Sequence, residues 1–354
     1  MKPRVLVAMS GGVDSSVAAA LLAEQGYDVV GVTLHLWDAR GASQVGRCCA
    51  PEDRDDARRT CEHLGVPHYV MDEREAFQRH VVAPFVADNL AGVTPSPCVA
   101  CNQHVKLTRL WQIAQGLGAQ AVATGHYVRV RSDGEGEARL LRGLDTTKDQ
   151  SYFLYGVPKR LLARLMCPLG ELTKDAARAE AKRLGLSNWN KPDSQELCFV
   201  PDGDVRGFIG REAGGSAGPG PVIDEAGKVL GQHAGIEGFT VGQRRGLGIA
   251  GPAPRYVLEV LPESRAVRVG PAHALLKPTL SAHTASWIAA RPAAPFSASV
   301  RIRYRHTPAP ATVTPIDGDR FQVCFEAPQR AIAPGQAAVV YAQDQVLGGG
   351  VIEG

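Results

Sequence analysis

The feature that most constrains the fold is a short apolar run that ends in two glycines and continues as a helix. The run RVLVAM (residues 4–9) is typical of a buried β-strand, and it passes directly into SGGVDSS (residues 10–16). The overlapping stretch SSVAAALLAEQG predicts an apolar helix that ends at Gly26. A strand joined to a helix by a tight glycine turn favours a parallel sheet whose faces are covered by helices.

The same alternation continues to about residue 205. Further strands are predicted at 28–37 (DVVGVTLHLW), 68–72 (HYVMD) and 121–127 (AVATGHY). Helices are predicted at 51–65, 74–89, 104–117, 158–165 and 173–184. We therefore expect residues 1–205 to form one α/β domain built on a parallel sheet.

Past residue 205 the sequence changes character. Residues 206–277 are rich in turns and contain PVIDEAGKVLG, which predicts a β-hairpin. From 278 to 354 the chain consists of short β-runs such as ASVRIRYR and RFQVCF, and no helix is predicted. We therefore expect a small β-rich central domain (206–277) and a C-terminal antiparallel β-barrel (278–354).

The turn SGGVDSS is suited to binding phosphate. Glycines let the backbone approach an anion, and the first turn of the helix offers unpaired N–H groups at the positive end of its dipole. Asp14 would repel phosphate unless a Mg²⁺ ion lay between them, which predicts a phosphate group bound together with Mg²⁺. The alternative is a strand-to-helix turn with a serine cap and no ligand.

The kind of ATP chemistry is narrowed by a missing motif. No G-x-x-x-x-G-K-[ST] sequence is present, so the chain lacks the loop of enzymes that cleave the γ-phosphate. SGGVDSS instead resembles the loop of ATP enzymes that release pyrophosphate and adenylate a carbonyl or carboxylate oxygen. That superfamily includes NAD and GMP synthetases, argininosuccinate and asparagine synthetases, lysidine synthetase and tRNA thiolases, and the loop alone does not choose among them.

Charge is distributed unevenly along a chain whose net charge is +3. Between residues 240 and 305 there are ten Lys or Arg residues and two Glu. This local excess favours a polyanionic partner such as nucleic acid, or it is a solvated surface balanced elsewhere in the fold. No apolar run of 18 or more residues and no signal-peptide pattern occurs, so we expect a cytoplasmic protein without membrane association.

Cysteine separates the members of the superfamily. In a reducing compartment the eight cysteines are expected to be thiols, metal ligands or catalytic groups before structural disulfides. TPSPCVACN holds Cys98 and Cys101, and DSQELCFVPDGD holds Cys198. These segments resemble the bacterial tRNA-specific 2-thiouridylase family, and the resemblance extends over essentially the whole chain through the loop, ATGHY, TKDQSYFLYG, FTVGQRRGLGI, RIRYRH, APGQAAVVY and LGGGVIE.

The resemblance implies 2-thiolation of the wobble uridine (position 34) of tRNA. ATP would adenylate the C2 oxygen, and a persulfide on Cys198 would then attack C2 so that AMP departs. Cys101 is implied as the nucleophile that frees the sulfur or resolves the persulfide, leaving a Cys101–Cys198 disulfide. The sulfur would come from an upstream sulfur-carrier protein or a cysteine desulfurase.

Cys98 departs from the family pattern. Many members carry Asp at this position, where a carboxylate could act as acid or base on the target uridine. Cys98 would instead assist as a thiolate, or it would join Cys101 and Cys198 as ligands of a [4Fe-4S] cluster with one iron open to sulfide. The sequence leaves both readings open.

The resemblance also assigns binding residues. ATP would contact the loop and two neighbouring strands at Ala8, Met9, Ser10, Gly11, Gly12, Val13, Asp14, Ser15, Leu34 and Gly125. The anticodon stem-loop of tRNA would contact Ser96, Pro97, Cys98, His126, Lys148, Asp149, Gln150, Arg303, Tyr304 and Gln336. Strand alternation in VRIRYRH places Arg301, Arg303 and Arg305 on one face, as a row suited to phosphates.

Two other functions account for part of the sequence. A free-standing ATP-dependent ligase of the argininosuccinate type explains the loop but gives no work to Cys98, Cys101, Cys198 or the basic region. A non-enzymatic RNA-binding or redox module explains the cysteines and the barrel but not the phosphate loop.

Overall fold

The computed structural model describes residues 2–38, 51–132, 137–193, 197–200, 202–251 and 253–354. The chain packs into two compact units. The first comprises Met1–Val81, Cys98–Gly203 and Asp344–Val346, and the second comprises Val82–Pro97, Asp204–Gln343 and Leu347–Gly354. The division into three consecutive domains at 205 and 277 stays a prediction.

Strands and helices alternate through the first 200 residues. In chain order they are β1 (Arg4–Ala8), α1 (Val13–Glu24), β2 (Asp28–His35), α2 (Pro51–Leu64), β3 (His68–Asp72), α3 (Arg74–Phe77), α4 (Ala83–Leu90), α5 (Pro97–Ala100), α6 (Leu107–Gly116), β4 (Ala121–Ala123), β5 (Val128–Ser132), β6 (Ala138–Arg142), α7 (Lys159–Leu162), β7 (Leu165–Met166) and α8 (Lys174–Arg183). π-helical turns occupy Gln78–Val82 and Cys101–Lys106, and 3₁₀ turns occupy Ser151–Phe153 and Pro168–Glu171.

Five of these strands form the sheet of the first unit, in the order β3-β2-β1-β4-β7, and all neighbouring pairs are parallel. The central strand β1 places Val5 beside Val29 of β2 and Ala121 of β4. Val5, Leu6 and Val7 are each at most 1% exposed, because both faces of the sheet are covered. The α/β fold with a parallel sheet is therefore confirmed.

The middle of helix α1, residues 17–23, is apolar on every side. Val17, Ala18, Ala19 and Ala20 are fully buried. Ala19 packs in the core around β1, while Ala18 and Ala20 pack in a second core that includes Ala177 of α8. Small side chains let the neighbouring elements approach closely, which fixes the N-terminus of α1 beside the carboxyl end of β1.

Two predicted helices differ from expectation. The stretch 158–165 is helical only at α7, because its last residue begins β7, which pairs with Val122 and Ala123 of β4. Tertiary pairing here overrides local preference. The stretch 74–89 contains the π-helical turn Gln78–Val82, because Pro84 has no N–H to donate and its ring crowds the carbonyl four residues earlier.

The remaining elements are mostly β-strands. They are α9 (Val205–Glu212), β8 (Gly220–Ile223), β9 (Val229–His233), β10 (Tyr256–Leu261), β11 (Ala266–Gly270), β12 (Leu276–Trp287), β13 (Phe296–Arg301), β14 (Ala309–Pro315), β15 (Phe321–Arg330), β16 (Ala337–Ala342) and β17 (Gln345–Ile352), with 3₁₀ turns at Ile236–Gly238 and Ala272–Leu275. Helix α9 was not predicted, although Asp204 caps it by accepting the Gly207 N–H at 2.9 Å.

The second unit contains two β-structures. The expected hairpin is β8–β9, and it belongs to a sheet with the order β10-β11-β8-β9. The six strands β12-β15-β14-β13-β16-β17 form an antiparallel barrel that closes by pairing β17 with β12. Its interior is filled by fully buried Val300, Val313, Phe321, Val323 and Val340. The predicted antiparallel barrel is confirmed.

One short stretch of β17 belongs to the first unit. Strands β5 and β6 form an antiparallel hairpin that was not predicted, and Gln345 and Val346 extend it by pairing with Leu141 and Leu140. No helix in the described part of the chain is both long and apolar enough to cross a membrane.

Candidate functional site

The loop Ser10–Ser15 joins the carboxyl end of β1 to the N-terminus of α1. Ser15 Oγ lies 3.1 Å from Ser10 Oγ and donates to the Gly12 carbonyl at 3.0 Å. Ser16 Oγ donates to the same carbonyl at 3.1 Å. Gly12 is the N-cap residue and provides no side-chain cap. The positive end of α1 is therefore offered to an external anion at this loop.

Two glycines are required for this geometry. Gly11 has a φ of +73°, and a Cβ there would lie 2.0 Å from the carbonyl oxygen of Asp53. Gly125 follows β4, and a Cβ there would lie 2.6 Å from the carbonyl carbon of Asp14 and 2.7 Å from the nitrogen of Ser15. The structure thus brings Gly125 against the loop, as the resemblance implied. Only a residue without a side chain fits at either position.

Replacing Gly125 with alanine is expected to weaken ATP binding roughly tenfold or more, because the new methyl group must displace the backbone of the loop. Gly116→Ala is the matched control, since a Cβ at this α6 position meets no atom within 4 Å. Isothermal titration with ATP on both variants, with thermal melts alongside, measures the effect. Wild-type ATP affinity in the Gly125 variant would contradict the proposed role of the loop.

A network of charges lies beneath the loop. Lys174 Nζ donates to both carboxylate oxygens of Asp14, at 2.8 and 2.9 Å, and lies 2.7 Å from Oδ1 of Asp193. Tyr127 donates its hydroxyl to Asp14 at 2.8 Å, and Lys148 donates to Asp193 at 2.8 Å. Lys174 therefore places a positive charge next to Asp14, and the Mg²⁺ expected there from the sequence stays a prediction.

The pKa values follow from these contacts. Burial, reinforced by Asp14, raises the pKa of Tyr127, so its hydroxyl keeps its proton and remains a donor. Burial alone would raise the pKa of Asp193, but hydrogen bonds from Lys148 and Lys174 lower it. Asp193 is consequently a carboxylate near neutral pH, and Lys174 bridges two carboxyl groups.

The carbonyl of Gly11 is held from a distant part of the chain. Asn188 Nδ2 and Lys191 Nζ each donate to it at 3.2 Å. Lys191 also pairs with Asp53 and with Asp56, the latter at 2.5 Å. The carboxylates of Asp53 and Asp56, together with the Gly11 carbonyl, fix Lys191 beside the loop.

Sequence reasoning missed the residues that support the loop from outside its own motif. They are Asp53, Asp56, Tyr127, Lys174, Asn188, Lys191 and Asp193. The only local signal is NWNKPD (residues 188–193), a polar stretch just before the segment that carries Cys198.

Several residues implied in ATP binding lie in the core. Met9, Val13 and Leu34 are 2%, 3% and 8% exposed, and Leu34 pairs with Met71 across β2 and β3. Ala8 is half-buried at the end of β1. Their contribution to a nucleotide site would be through the backbone and through apolar packing rather than through polar side chains.

The three cysteines of interest differ in accessibility. Cys98 is exposed in α5, Cys101 is 5% exposed at the start of the π-helical turn Cys101–Lys106, and Cys198 is half-buried. π-Helical turns are frequent at functional sites. Among the residues that the structure describes, no three His, Cys, Asp or Glu side chains are grouped so as to hold a metal ion. The [4Fe-4S] alternative stays a prediction.

His126 is positioned by a neighbouring hydroxyl. Its Nδ1 lies 2.8 Å from Thr124 Oγ1, which is 3.6 Å from Cys167 Sγ. Burial, with a smaller effect from Lys106, lowers the pKa of His126 to about 3. At neutral pH the imidazole is uncharged, so any contact it makes with RNA would be a hydrogen bond and not an ion pair.

This pKa has a consequence for stability. At pH values between the folded-state pKa of about 3 and the ordinary pKa of 6.5, the His126 imidazole is protonated in the unfolded chain and neutral in the folded one. Protonation therefore favours the unfolded chain, and the free energy of unfolding decreases as the pH falls below 6.5. His126→Gln is expected to lose about 1 kcal/mol less free energy of unfolding than wild type between pH 7.5 and pH 5.5. Urea unfolding at the two pH values, with exposed His273→Gln as control, measures this, and identical losses in all three proteins would contradict it.

The loop of residues 148–150 is held by hydrogen bonds to other residues of the first unit. Lys148 pairs with Asp193, and Gln150 Oε1 accepts the Tyr127 N–H at 3.0 Å. Asp149 is 1% exposed, and its Oδ1 accepts the N–H groups of Gly143 and Ser151 at 3.2 and 3.1 Å. The Asp149 carboxylate therefore shapes the loop, and a direct contact of this side chain with RNA is not supported.

The predicted row of three arginines on one strand face is wrong. Strand β13 ends at Arg301, and residues 302–306 turn away from it. Arg301 is 7% exposed and donates to the Tyr304 carbonyl, with its guanidinium 5.3 Å from the Tyr304 ring centroid. Arg303 donates to the Arg330 carbonyl at 3.0 Å. The Arg301 side chain therefore contacts the turn that follows the strand instead of facing solvent.

The remaining predicted tRNA contacts lie in the second unit. Ser96 is half-buried and Pro97 is buried. Gln336 donates its side-chain amide to the carbonyls of Thr94 and Pro95, at 3.0 and 3.1 Å. The structure thus brings Gln336 to the TPSP segment.

A parallel sheet whose central strand leads into SGGVDSS, a second β-sheet and a closed antiparallel barrel place the chain in the class of PP-loop-like α/β proteins that carry a β-barrel. Three family models match the chain: a tRNA methyl transferase HUP domain at residues 3–202, a tRNA methyl transferase PRC-barrel domain at 206–271, and an aminomethyltransferase beta-barrel domain at 277–352.

Full-length relatives identify the family. The tRNA-specific 2-thiouridylase MnmA of Sorangium cellulosum (strain So ce56) is 50% identical over 356 residues, covering 99% of this chain and 92% of that protein. The protein of the same name from Geobacter metallireducens (strain ATCC 53774 / DSM 7210 / GS-15) is 48% identical over 357 residues, covering 99% and 97%. The chain belongs to the tRNA-specific 2-thiouridylase family, a family of tRNA sulfurtransferases.

Likeness to solved structures is more distant. A 4-thiouridine synthetase in complex with RNA and bound ATP aligns with 56% of this chain and 46% of its own, at 16% sequence identity and a TM-score of 0.36. This likeness is too low to support the family membership, which follows from the full-length relatives.

Proposed function

We propose that this chain catalyses the ATP-dependent 2-thiolation of the wobble uridine of tRNA in the cytoplasm. The observation that carries the proposal is that one compact unit contains both the phosphate loop with its charge network and Cys98, Cys101 and Cys198. Membership of the 2-thiouridylase family supports the same reaction. A phosphate site supplies activation and thiols supply sulfur, which are the two halves of an adenylation and thiolation reaction.

The first step is activation of the base. The C2 oxygen of uridine attacks the α-phosphorus of ATP, a phosphorus–oxygen bond forms, and the bond to pyrophosphate breaks. The loop and the N-terminus of α1 bind the phosphates, and Lys174 adds positive charge where negative charge develops. Mg²⁺ enters as part of the substrate, complexed to the ATP phosphates. Asp14 and Tyr127 hold Lys174 in place.

The second step transfers sulfur. The terminal sulfur of a Cys198 persulfide attacks C2, the C2–oxygen bond breaks, and AMP leaves. The Cys101 thiolate then attacks Sγ of Cys198, so the sulfur–sulfur bond breaks and the base keeps the sulfur. In the alternative order Cys101 attacks first and the released sulfide attacks C2. Either order leaves a Cys101–Cys198 disulfide, which a thiol reductant returns to two thiols.

A persulfide must be renewed after every turnover. We assign that supply to an upstream sulfur-carrier protein or a cysteine desulfurase. Cys98 is exposed and lies one helical turn before Cys101, so in this scheme it assists as a thiolate near the target base. No step of this scheme depends on an iron–sulfur cluster, which stays an alternative.

Protein purified without oxygen and containing neither iron nor acid-labile sulfide is therefore expected to thiolate tRNA at full rate. The reason is that every step of the proposed scheme uses only thiols, a persulfide and ATP. Iron and sulfide analysis on the same sample that is assayed gives the answer. Activity that appears only after cluster reconstitution would restore the cluster alternative.

The tRNA partner would be bound through its anticodon stem-loop. The target base must leave its stack to reach the reacting groups, with stacking and edge contacts reading it. Arg244, Arg245 and Arg305 are exposed basic residues of the second unit and are suited to phosphate contacts.

Isotope labelling tests the activation step. We expect a tRNA that carries ¹⁸O at C2 of the wobble uridine to deliver one ¹⁸O to AMP, detected by mass spectrometry, while the base gains sulfur. Label in inorganic phosphate with formation of ADP would show phosphorylation instead of adenylation and would refute this step. A Cys98→Asp variant, which restores the residue common in the family, should give the same isotope pattern.

A further inference from the structure

The segment Val93–Pro97, which leads into Cys98, is bonded to the C-terminal part of the second unit. The Thr94 N–H donates to the Pro334 carbonyl at 2.9 Å. The Gln336 amide donates in the opposite direction, to the Thr94 carbonyl at 3.0 Å and the Pro95 carbonyl at 3.1 Å. The backbone N–H and the backbone carbonyl of Thr94 are therefore both hydrogen-bonded to the APGQ motif.

A glycine permits this close approach. Gly335 has a φ of +86°, and a Cβ there would lie 2.3 Å from Val93 Cγ1 and 2.9 Å from the Thr94 carbonyl oxygen. Any larger residue would force the two backbones apart. The APGQ motif thus brings three groups to the segment Val93–Pro97: the Pro334 carbonyl, the backbone of Gly335 without a side chain, and the Gln336 amide.

Thr94 also contacts a second motif, FTVGQRRGLGI (residues 239–249), through Thr240. Thr94 Oγ1 donates to Thr240 Oγ1 at 3.3 Å, and the Thr240 N–H donates to Gln243 Oε1 at 3.1 Å. Pro95 and Pro97 have no N–H groups, so the segment has few donors of its own with which to fix its position. Its conformation depends on the donor of Gln336 and on the acceptors of Pro334 and Thr240.

We propose that Gln336 is a positioning residue for the segment that carries Ser96, Pro97 and Cys98, and that it acts through the Thr94 and Pro95 carbonyls instead of through tRNA. The proposal rests on the function proposed above, in which this segment presents the target base to the reaction. It differs from the expectation that Gln336 contacts tRNA, which stays a prediction, since the side-chain amide donates to two carbonyls of the protein.

Hydrogen exchange tests the positioning without reference to catalysis. Gln336→Met keeps the length and charge of the side chain and removes its donors. We expect faster deuterium uptake at the Thr94 and Ser96 amides, by roughly tenfold, in the variant. Gln322→Met, at an exposed position of β15, is the matched control and should exchange as wild type. If Gln336→Met lowers the melting temperature, Thr240→Val serves as a second variant. It removes the hydrogen bond between Thr94 and Thr240 and should give the same faster deuterium uptake.

Steady-state kinetics tests the consequence. In Gln336→Met we expect kcat for 2-thiouridine formation to fall roughly tenfold, while the Kd for tRNA stays within about twofold of wild type. Unchanged exchange at Thr94 together with a tenfold weaker tRNA complex would overturn the proposal and make Gln336 a direct RNA contact. If wild type forms no 2-thiouridine, the proposed function fails, and the exchange experiment still decides whether Gln336 fixes the segment.

Discussion

Replacement of Cys198 by serine is expected to lower 2-thiouridine formation by a factor on the order of 10³ or more, while tRNA-dependent pyrophosphate release survives. A serine hydroxyl cannot carry a persulfide, so sulfur transfer is lost. The loop residue Asp14 and its partner Lys174 are unchanged in this variant, so adenylation is expected to continue. The two products are measured on one reaction mixture, by nucleoside mass spectrometry and by a pyrophosphate assay.

The control for this variant is Cys324→Ser, since Cys324 is an exposed thiol of β15 in the other unit. It should retain both activities. Loss of pyrophosphate release in Cys198→Ser would mean that the thiol takes part in activation. Full thiolation by Cys198→Ser would remove the persulfide from the proposal altogether.

Replacement of Lys174 by glutamine is expected to lower tRNA-dependent pyrophosphate release on the order of 100-fold. Lys174 is 8% exposed and is the cation that bridges Asp14 and Asp193, so its loss leaves two carboxylates facing the bound phosphates. Repulsion should weaken ATP binding as well as slow the reaction. Initial rates of pyrophosphate release, with ATP titrations, separate the two effects.

Lys182→Gln is the matched control, because Lys182 lies on the same helix, α8, and is exposed. It should behave as wild type. Urea unfolding of both variants accounts for lost stability, since an Asp14 carboxylate without its cation also costs folding energy. A Lys174→Gln protein that is folded, binds ATP and releases pyrophosphate at the wild-type rate would show that the charge network is only structural.

The fold was predictable where the pattern is local and continuous. RVLVAM, SGGVDSS and the apolar helix after it specify β1, the loop and α1 without reference to the rest of the chain. The barrel was predictable for the same reason, because its strands alternate apolar and polar residues. In contrast, β7 has two residues and exists only because β4 pairs with it, so no local pattern could reveal it.

The site was predictable only along its motifs. Gly125 was assigned through the resemblance to a family, and its contact with Asp14 and Ser15 gives that assignment a physical cause. Lys174 and Lys191 were missed, since a lysine on a helix or in a turn reads as surface until the fold brings it 160 or 180 residues back to the loop. The arginine row failed because the sequence does not show that β13 ends at Arg301.

The most direct test of the central claim is mass spectrometry of tRNA incubated with this protein, ATP, Mg²⁺ and a sulfur donor. We expect 2-thiouridine at the wobble position, dependent on ATP and absent with Cys198→Ser. Wild-type protein that binds ATP and tRNA, yet leaves the wobble uridine unmodified when the sulfur donor is present, would contradict the proposed function.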